Sequence, residues 1–221
     1  MMNKKGIFIS FEGPDGSGKT SVAKYIFQKI NDLNLPVVET REPGGKNNLI
    51  AEDIRDILLN HLDYKIDYRA EALLFAASRA QHVSDFILPN LDKGNIVLCD
   101  RYIHSSLVYQ GYVRGLGINE VFEINKFAIQ NTMPDIVVLL MVRPEVGINR
   151  IFSNPNRDVN RLDKESINSL HQKVYHGYKK LLENDFGKQI IVIDAELPED
   201  EVKENAWKEV YSFIKNNGYI K

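Results

Sequence analysis

The chain has 221 residues, 43% hydrophobic and 26% charged, with a formal net charge of −2. Those values exclude a disordered chain, and near-neutrality excludes a broad basic field for a nucleic-acid backbone. A lone Cys99 excludes an internal disulfide, and no Cys/His cluster has zinc spacing. The N-terminal MMNKKGIFISF carries too short an apolar run for a signal peptide, and the longest later run, IVVLLMV (136–142), is far below a membrane span. A cytoplasmic protein with no nucleic-acid or membrane partner is therefore expected.

In chain order, the first β-branched run, GIFISFE (6–12), leads at once into GPDGSGKT (13–20). That string has the form G-x-x-x-x-G-K-[ST], and the helix-like KTSVAKYIFQKIND (19–32) follows it. A strand, a glycine-rich turn and a helix in this order form a phosphate cradle. Backbone N–H groups of Gly13, Pro14, Asp15, Gly16, Ser17, Gly18, Lys19 and Thr20, proline excepted, and the helix N-terminus attract anions. Lys19 reaches the β- and γ-phosphates, and the Thr20 hydroxyl binds Mg²⁺. Asp15 is the oddity, a carboxylate inside an anion cradle.

The second run, PVVET (36–40), passes into TREPGG (40–45), which sets Arg41 at the end of a strand. Helical patterns follow at 50–60, with Arg55, and at 69–91. In FAASRAQH (75–82), Phe75 and Arg79 are spaced i, i+4 and share a helix face. They would either stack on and hydrogen-bond a flat base, or belong to the core. The third run, NIVLCD (95–100), ends in Asp100, suited to hold Mg²⁺ through water, and Arg101 follows in DRY. SSLVYQGY (105–112) then offers the hydroxyls of Ser106 and Tyr109 and the amide of Gln110.

A helix over 119–130, a strand in DIVVLLMV (135–142), a helix over 164–184, a strand in QIIVIDA (189–195) and a helix over 199–217 complete the pattern. The polar SNPNRDVNR (153–161) reads as a lid. Strands apolar on both faces, alternating with helices, predict an α/β fold. It is a doubly wound five-stranded parallel sheet flanked by helices, in one domain over 1–221 with a short lid near 150–161. Ligands bind at the C-terminal edge of such sheets. A GTPase would need N-K-x-D, and the nearest string, NKFA (125–128), lacks the aspartate. Arginines at strand ends suit phosphoryl transfer, which rests on positioning and charge neutralisation. A nucleotide-driven switch and a kinase for another nucleoside monophosphate remain the competing readings.

Taken together, FEGPDGSGKT, TREPGG, EALLFAASRAQH, LCDRYIHSSLVYQG and NRLDKE, in this order over about residues 7 to 165, resemble the bacterial thymidylate kinases. The resemblance implies a P-loop kinase that moves the γ-phosphate of ATP to dTMP with Mg²⁺, as a homodimer. It implies that Phe75 stacks on thymine, that Arg79 meets its edge, and that Ser106 and Gln110 complete the pocket. By the same resemblance Arg55 and Arg101 clamp the acceptor phosphate, Arg41 supports the acceptor pocket, Tyr109 crowds the sugar 2′ position, and Asp15 turns toward the 3′-hydroxyl. Because Gly16 stands where some relatives carry arginine, the transition-state arginine comes from the lid, as Arg150, Arg157 or Arg161. Two departures stand out. KNNLIAED lengthens the link from Gly45 to the helix bearing Arg55, and His104 replaces a frequent aspartate. Fold position alone puts Asp194–Ala195 beside the adenine.

Overall fold

The computed structural model describes residues 5–45, 48–60, 65–153, 167–183 and 189–220. Five strands, β1 (Ile7–Glu12), β2 (Val37–Arg41), β3 (Ile96–Asp100), β4 (Ile136–Met141) and β5 (Gln189–Asp194), form one sheet. Their order is β2-β3-β1-β4-β5, and every pairing is parallel. The expected doubly wound sheet is what the chain forms.

Side-chain alternation along the strands builds a core on each face. Ile7, Ile9 and Phe11 of β1, with Ile96, Leu98, Ile136, Val138 and Leu140, pack against α1 (Lys19–Asp32) and α9 (Glu199–Asn216). Phe8, Val97, Cys99 and Leu139 face the other way, onto a layer that includes α6 (Ile118–Ile129) and α8 (Ile167–Leu182). Each fully buried Ile or Phe contributes about 1.5–3 kcal/mol relative to exposure, so the central strands are anchored from both sides. β2 departs from the expected double burial. As an edge strand it leaves Val37, Val38 and Glu39 only half-buried.

The helix expected over 69–91 runs as α3 (Tyr68–His82), a π-helical stretch Val83–Ile87 and α4 (Leu88–Asp92). Two helical segments had no sequence expectation. One is α5 (Ile103–Ser106), which continues as a second π-helical stretch Leu107–Val113; the other is α7 (Pro144–Phe152). Proline fits the first turn of α7 because its missing N–H has no intrahelical partner there anyway. The remaining helix before α3 is α2 (Leu49–Leu59), capped by Asn48, whose side chain accepts from the Ala51 N–H at 3.0 Å. No helix among the described residues is long and apolar enough to cross a membrane.

Candidate active site

Strand register brings the sequence-remote groups together. Phe11 pairs with Asp100, and Asp100 pairs with Arg41, so the C-terminal ends of β1, β3 and β2 lie side by side. This is where the strand order reverses direction, the usual place for a ligand in an open α/β sheet. A cavity of about 370 Å³ opens there.

One end of the cavity is the loop between β1 and α1. Gly13, Gly16 and Gly18 have φ of +141°, +78° and +84°, conformations that side-chain-bearing residues rarely adopt. A Cβ on Gly13 would lie 2.2 Å from the Leu140 carbonyl oxygen, whereas one on Gly18 would meet nothing within 4 Å. Gly18 is also the N-cap of α1, with no side-chain cap, which leaves the helix N-terminus open to an anion. Lys19 is buried, and its Nζ donates to the Pro14 carbonyl at 3.2 Å and sits 3.6 Å from Asp15 Oδ1. Burial pushes its amine below the usual lysine range. Arg101 adds to the shift, while Asp15, Asp100 and Glu12 oppose it.

Thr20 Oγ1 donates to Asp100 Oδ2 at 2.5 Å, while the buried Asp100 Oδ1 and the Ser17 hydroxyl have no hydrogen-bond partner. Buried acceptors are rarely left unsatisfied. An all-oxygen pair beside a phosphate cradle suits a hard divalent cation that keeps waters and phosphate oxygens as its other ligands. The residues therefore fit Mg²⁺.

Arg101 holds the middle. Its φ is +68°, a left-handed conformation costing roughly 1–2 kcal/mol outside glycine. The turn swings its guanidinium onto Asp15 and lets it donate to Ser105 Oγ at 3.0 Å. Tyr109 OH donates to the other Asp15 oxygen at 3.3 Å. Asp15 is thus held by Tyr109 and by Arg101 and Lys19, whose two positive charges offset a carboxylate inside an anion cradle. Beneath them Glu12 is buried and accepts from the Tyr102 N–H at 2.7 Å, the Ser105 hydroxyl at 2.7 Å and the Tyr178 hydroxyl at 3.0 Å. Ser105 in this way ties the strand-end acid to Arg101.

The far end is amphipathic. Phe75 packs on Leu58 and Leu59 and also lines the cavity. Arg79 is 2% exposed. Its Nε donates to Glu42 Oε2 at 2.7 Å, its Nη1 to Ser106 Oγ at 3.2 Å and to Asn125, and its Nη2 to the Tyr102 carbonyl at 3.2 Å. Behind Glu42, His82 bridges it to Thr40 through contacts of 3.1 and 2.7 Å. Arg41 and Arg55 both donate to the Pro43 carbonyl, at 3.1 and 2.8 Å. The lengthened segment has therefore not carried Arg55 away from the site.

All the candidate residues from Asp15, Lys19, Thr20, Arg41, Arg55, Phe75, Arg79, Asp100, Arg101, Ser106, Tyr109 and Gln110 line this one cavity. Gly13, Pro14, Gly16, Ser17 and Gly18 of the loop do not, and neither does Arg150. Arg150 Nη1 donates to the Ala195 carbonyl at 2.6 Å, beside the segment expected near the adenine. Arg157 and Arg161 lie outside the described residues. Sequence reasoning missed Glu42, Pro43, Leu59, Tyr102 and Ser105, which also line the cavity. Glu42 stood in view inside TREPGG, but its partner Arg79 is 37 positions away and nothing local links them.

A family model described as thymidylate kinase matches residues 11–206. The chain belongs to the thymidylate kinase family. Among its relatives, the thymidylate kinase of Clostridium novyi (strain NT) is 49% identical over 211 residues, covering 96% of this chain and 99% of that one. The thymidylate kinase of Bacillus velezensis (strain DSM 23117 / BGSC 10A6 / LMG 26770 / FZB42) is 46% identical, covering 95% and 97%. Membership in the thymidylate kinase family makes this chain a phosphotransferase, and it accounts for phosphate-loop residues and hydrogen-bonding side chains lining one cavity.

Proposed function

We propose that this chain transfers the γ-phosphate of ATP to dTMP, giving dTDP and ADP, as a step of dTTP synthesis, and that residues 1–221 act as one catalytic domain with a lid near 150–161. The observation that carries the reading is a single cavity with Asp15, Lys19 and Thr20 of the phosphate loop at one end and Phe75, Arg79, Ser106 and Gln110 at the other. The loop N–H groups and Lys19 bind the donor's phosphates. Phe75 stacks on the thymine, and Arg79, Ser106 and Gln110 meet its edge. Arg101 and Arg55 hold the acceptor phosphate, Arg41 supports them, Tyr109 crowds the 2′ position, and Asp15 accepts from the 3′-hydroxyl. An arginine of the lid, Arg150, Arg157 or Arg161, neutralises charge at the transferring group. Thr20 and Asp100 would hold Mg²⁺, which when bound screens the phosphate charge. No general base is needed, because the acceptor is already an anionic phosphate.

A homodimer belongs to the same reading. Leu49, Ile50 and Ile57 of α2, Leu73 of α3 and Phe127 of α6 are exposed, and Phe127 is 89% so. α3 packs against both α2 and α6, so these residues occupy neighbouring helices. An apolar face of this kind marks an interaction surface, and a second copy of the chain covers it by twofold symmetry.

Measuring ADP release with ATP, Mg²⁺ and dTMP, dUMP, CMP or no acceptor tests the activity. Turnover should be greatest with dTMP and lost in Lys19→Met, with dTMP binding retained. Turnover with CMP but not dTMP, or hydrolysis indifferent to any acceptor, removes the reading.

A further inference from the structure

The pocket's base-facing end owes its chemical polarity to a group outside the cavity. Glu71, Phe75 and Arg79 are spaced four residues apart and so lie along one face of α3. Glu71 is fully buried, and it accepts from the Gln110 Nε2 at 3.0 Å and from Arg114 Nε and Nη2 at 3.0 and 3.3 Å. Arg114 itself stacks over the Tyr68 ring, 4.6 Å from its centroid. The ion pair therefore has both partners held.

A carboxylate offers only acceptors, so it dictates which end of the Gln110 amide turns toward it. The nitrogen goes to Glu71, and the oxygen is the end left for the cavity that Gln110 lines. Arg79 has five N–H donors. Glu42, Ser106, Asn125 and the Tyr102 carbonyl take four, leaving one N–H on Nη2. Arg79 thus brings a fixed donor to this end of the pocket and Gln110 a fixed acceptor, beside the Ser106 hydroxyl. A 4-keto pyrimidine with a protonated N3 offers the matching acceptor and donor, whereas a 4-amino pyrimidine offers the reverse.

We infer that Glu71 is a specificity-determining positioning residue, which orients the Gln110 amide so that the site accepts 4-keto and rejects 4-amino pyrimidine nucleotides. The inference rests on the assignment of this end of the cavity to the base. A site built to hydrogen-bond one pattern rejects the other strongly, because its buried polar groups would be left unpaired.

The test is the double variant Glu71→Gln/Arg114→Met, which frees the Gln110 amide to rotate without leaving a buried arginine uncompensated. kcat/KM is measured with dTMP, dUMP and dCMP. Ratios between substrates do not depend on the folded fraction. The dTMP:dCMP ratio should fall about tenfold or more, while dTMP:dUMP should hold, since uracil has the same hydrogen-bonding edge as thymine. An unchanged dTMP:dCMP ratio, or equal gains for dUMP and dCMP, overturns the proposal. Gln110→Leu keeps the Glu71–Arg114 pair and should lower the same ratio; if it leaves the ratio intact, the proposal also falls, even where the double variant does not fold. Arg79→Ala separates the two levels. If it leaves the dTMP KM unchanged, the base assignment itself is wrong. If it raises that KM while the Glu71 and Gln110 variants keep the wild-type ratio, only the role of Glu71 is.

Discussion

Glu12 shows how one buried side chain supports a site it does not enter. It sits at the end of β1 and gathers Tyr102, Ser105 and Tyr178 around its carboxylate. Burial pushes its carboxyl above the usual range, against the pull of Ser105, Arg101, Tyr102 and Tyr178. A raised folded-state pKa means that folding favours the neutral form. Its contribution to stability is fully present below the unfolded value and is lost as pH rises through the folded one. Glu12→Gln lacks this titration. The stability of wild type relative to Glu12→Gln should therefore decline as pH rises from the ordinary glutamate range upward. Denaturant unfolding across that range checks it, and a difference that is flat or grows with pH refutes the assignment.

At the scale of elements, α7 and the phosphate loop interlock through two glycines. A Cβ on Gly16 would lie 2.3 Å from the Gly147 carbonyl oxygen, and one on Gly147 would lie 2.8 Å from the Asp15 carbonyl oxygen. The backbone of α7 thus rests on the tip of the loop, and Arg150 near its end donates to the Ala195 carbonyl. Gly147→Val should push α7 off the loop and displace the donor's phosphates. Misplacing a reacting group by about 1 Å costs on the order of 100-fold in rate, so a comparable loss in kcat/KM for ATP is expected from steady-state kinetics. Wild-type kinetics in a folded Gly147→Val would dissociate the helix from catalysis.

Across the whole molecule, the two faces of the sheet serve different ends. The α1 and α9 side is a closed apolar core. The other side carries the helices proposed to read the base and, on their outer surfaces, the apolar residues proposed to meet a second copy. Asn125 faces inward to Arg79 from α6, and Phe127 faces outward from the same helix. Phe127→Lys should shift the protein toward monomer, as measured by sedimentation equilibrium over a range of concentrations. A mass per particle equal to the wild type's at every concentration argues against this face as the interface.

The phosphate loop and the five strands were legible because their signals are local. GPDGSGKT is contiguous, and strands such as DIVVLLMV announce themselves by composition. Phe75 and Arg79 were legible too, since helical spacing alone puts them on one face. The sequence left α7 and the π-helical stretch Leu107–Val113 unread. A short helix with a glycine in it and a ladder shifted by one residue are stabilised by their neighbours rather than by propensity. It also left unread two acids that fix the pocket's polar groups, Glu42 in its wall and Glu71 behind it. Glu42 and Glu71 carry no local mark, and each acquires its role only when strand register and helix packing bring Arg79 and Gln110 within hydrogen-bonding reach. The sequence by itself determined which groups could hold a phosphate. Only the tertiary structure decided which way each polar group points, because a buried donor or acceptor takes its orientation from partners distant in the chain.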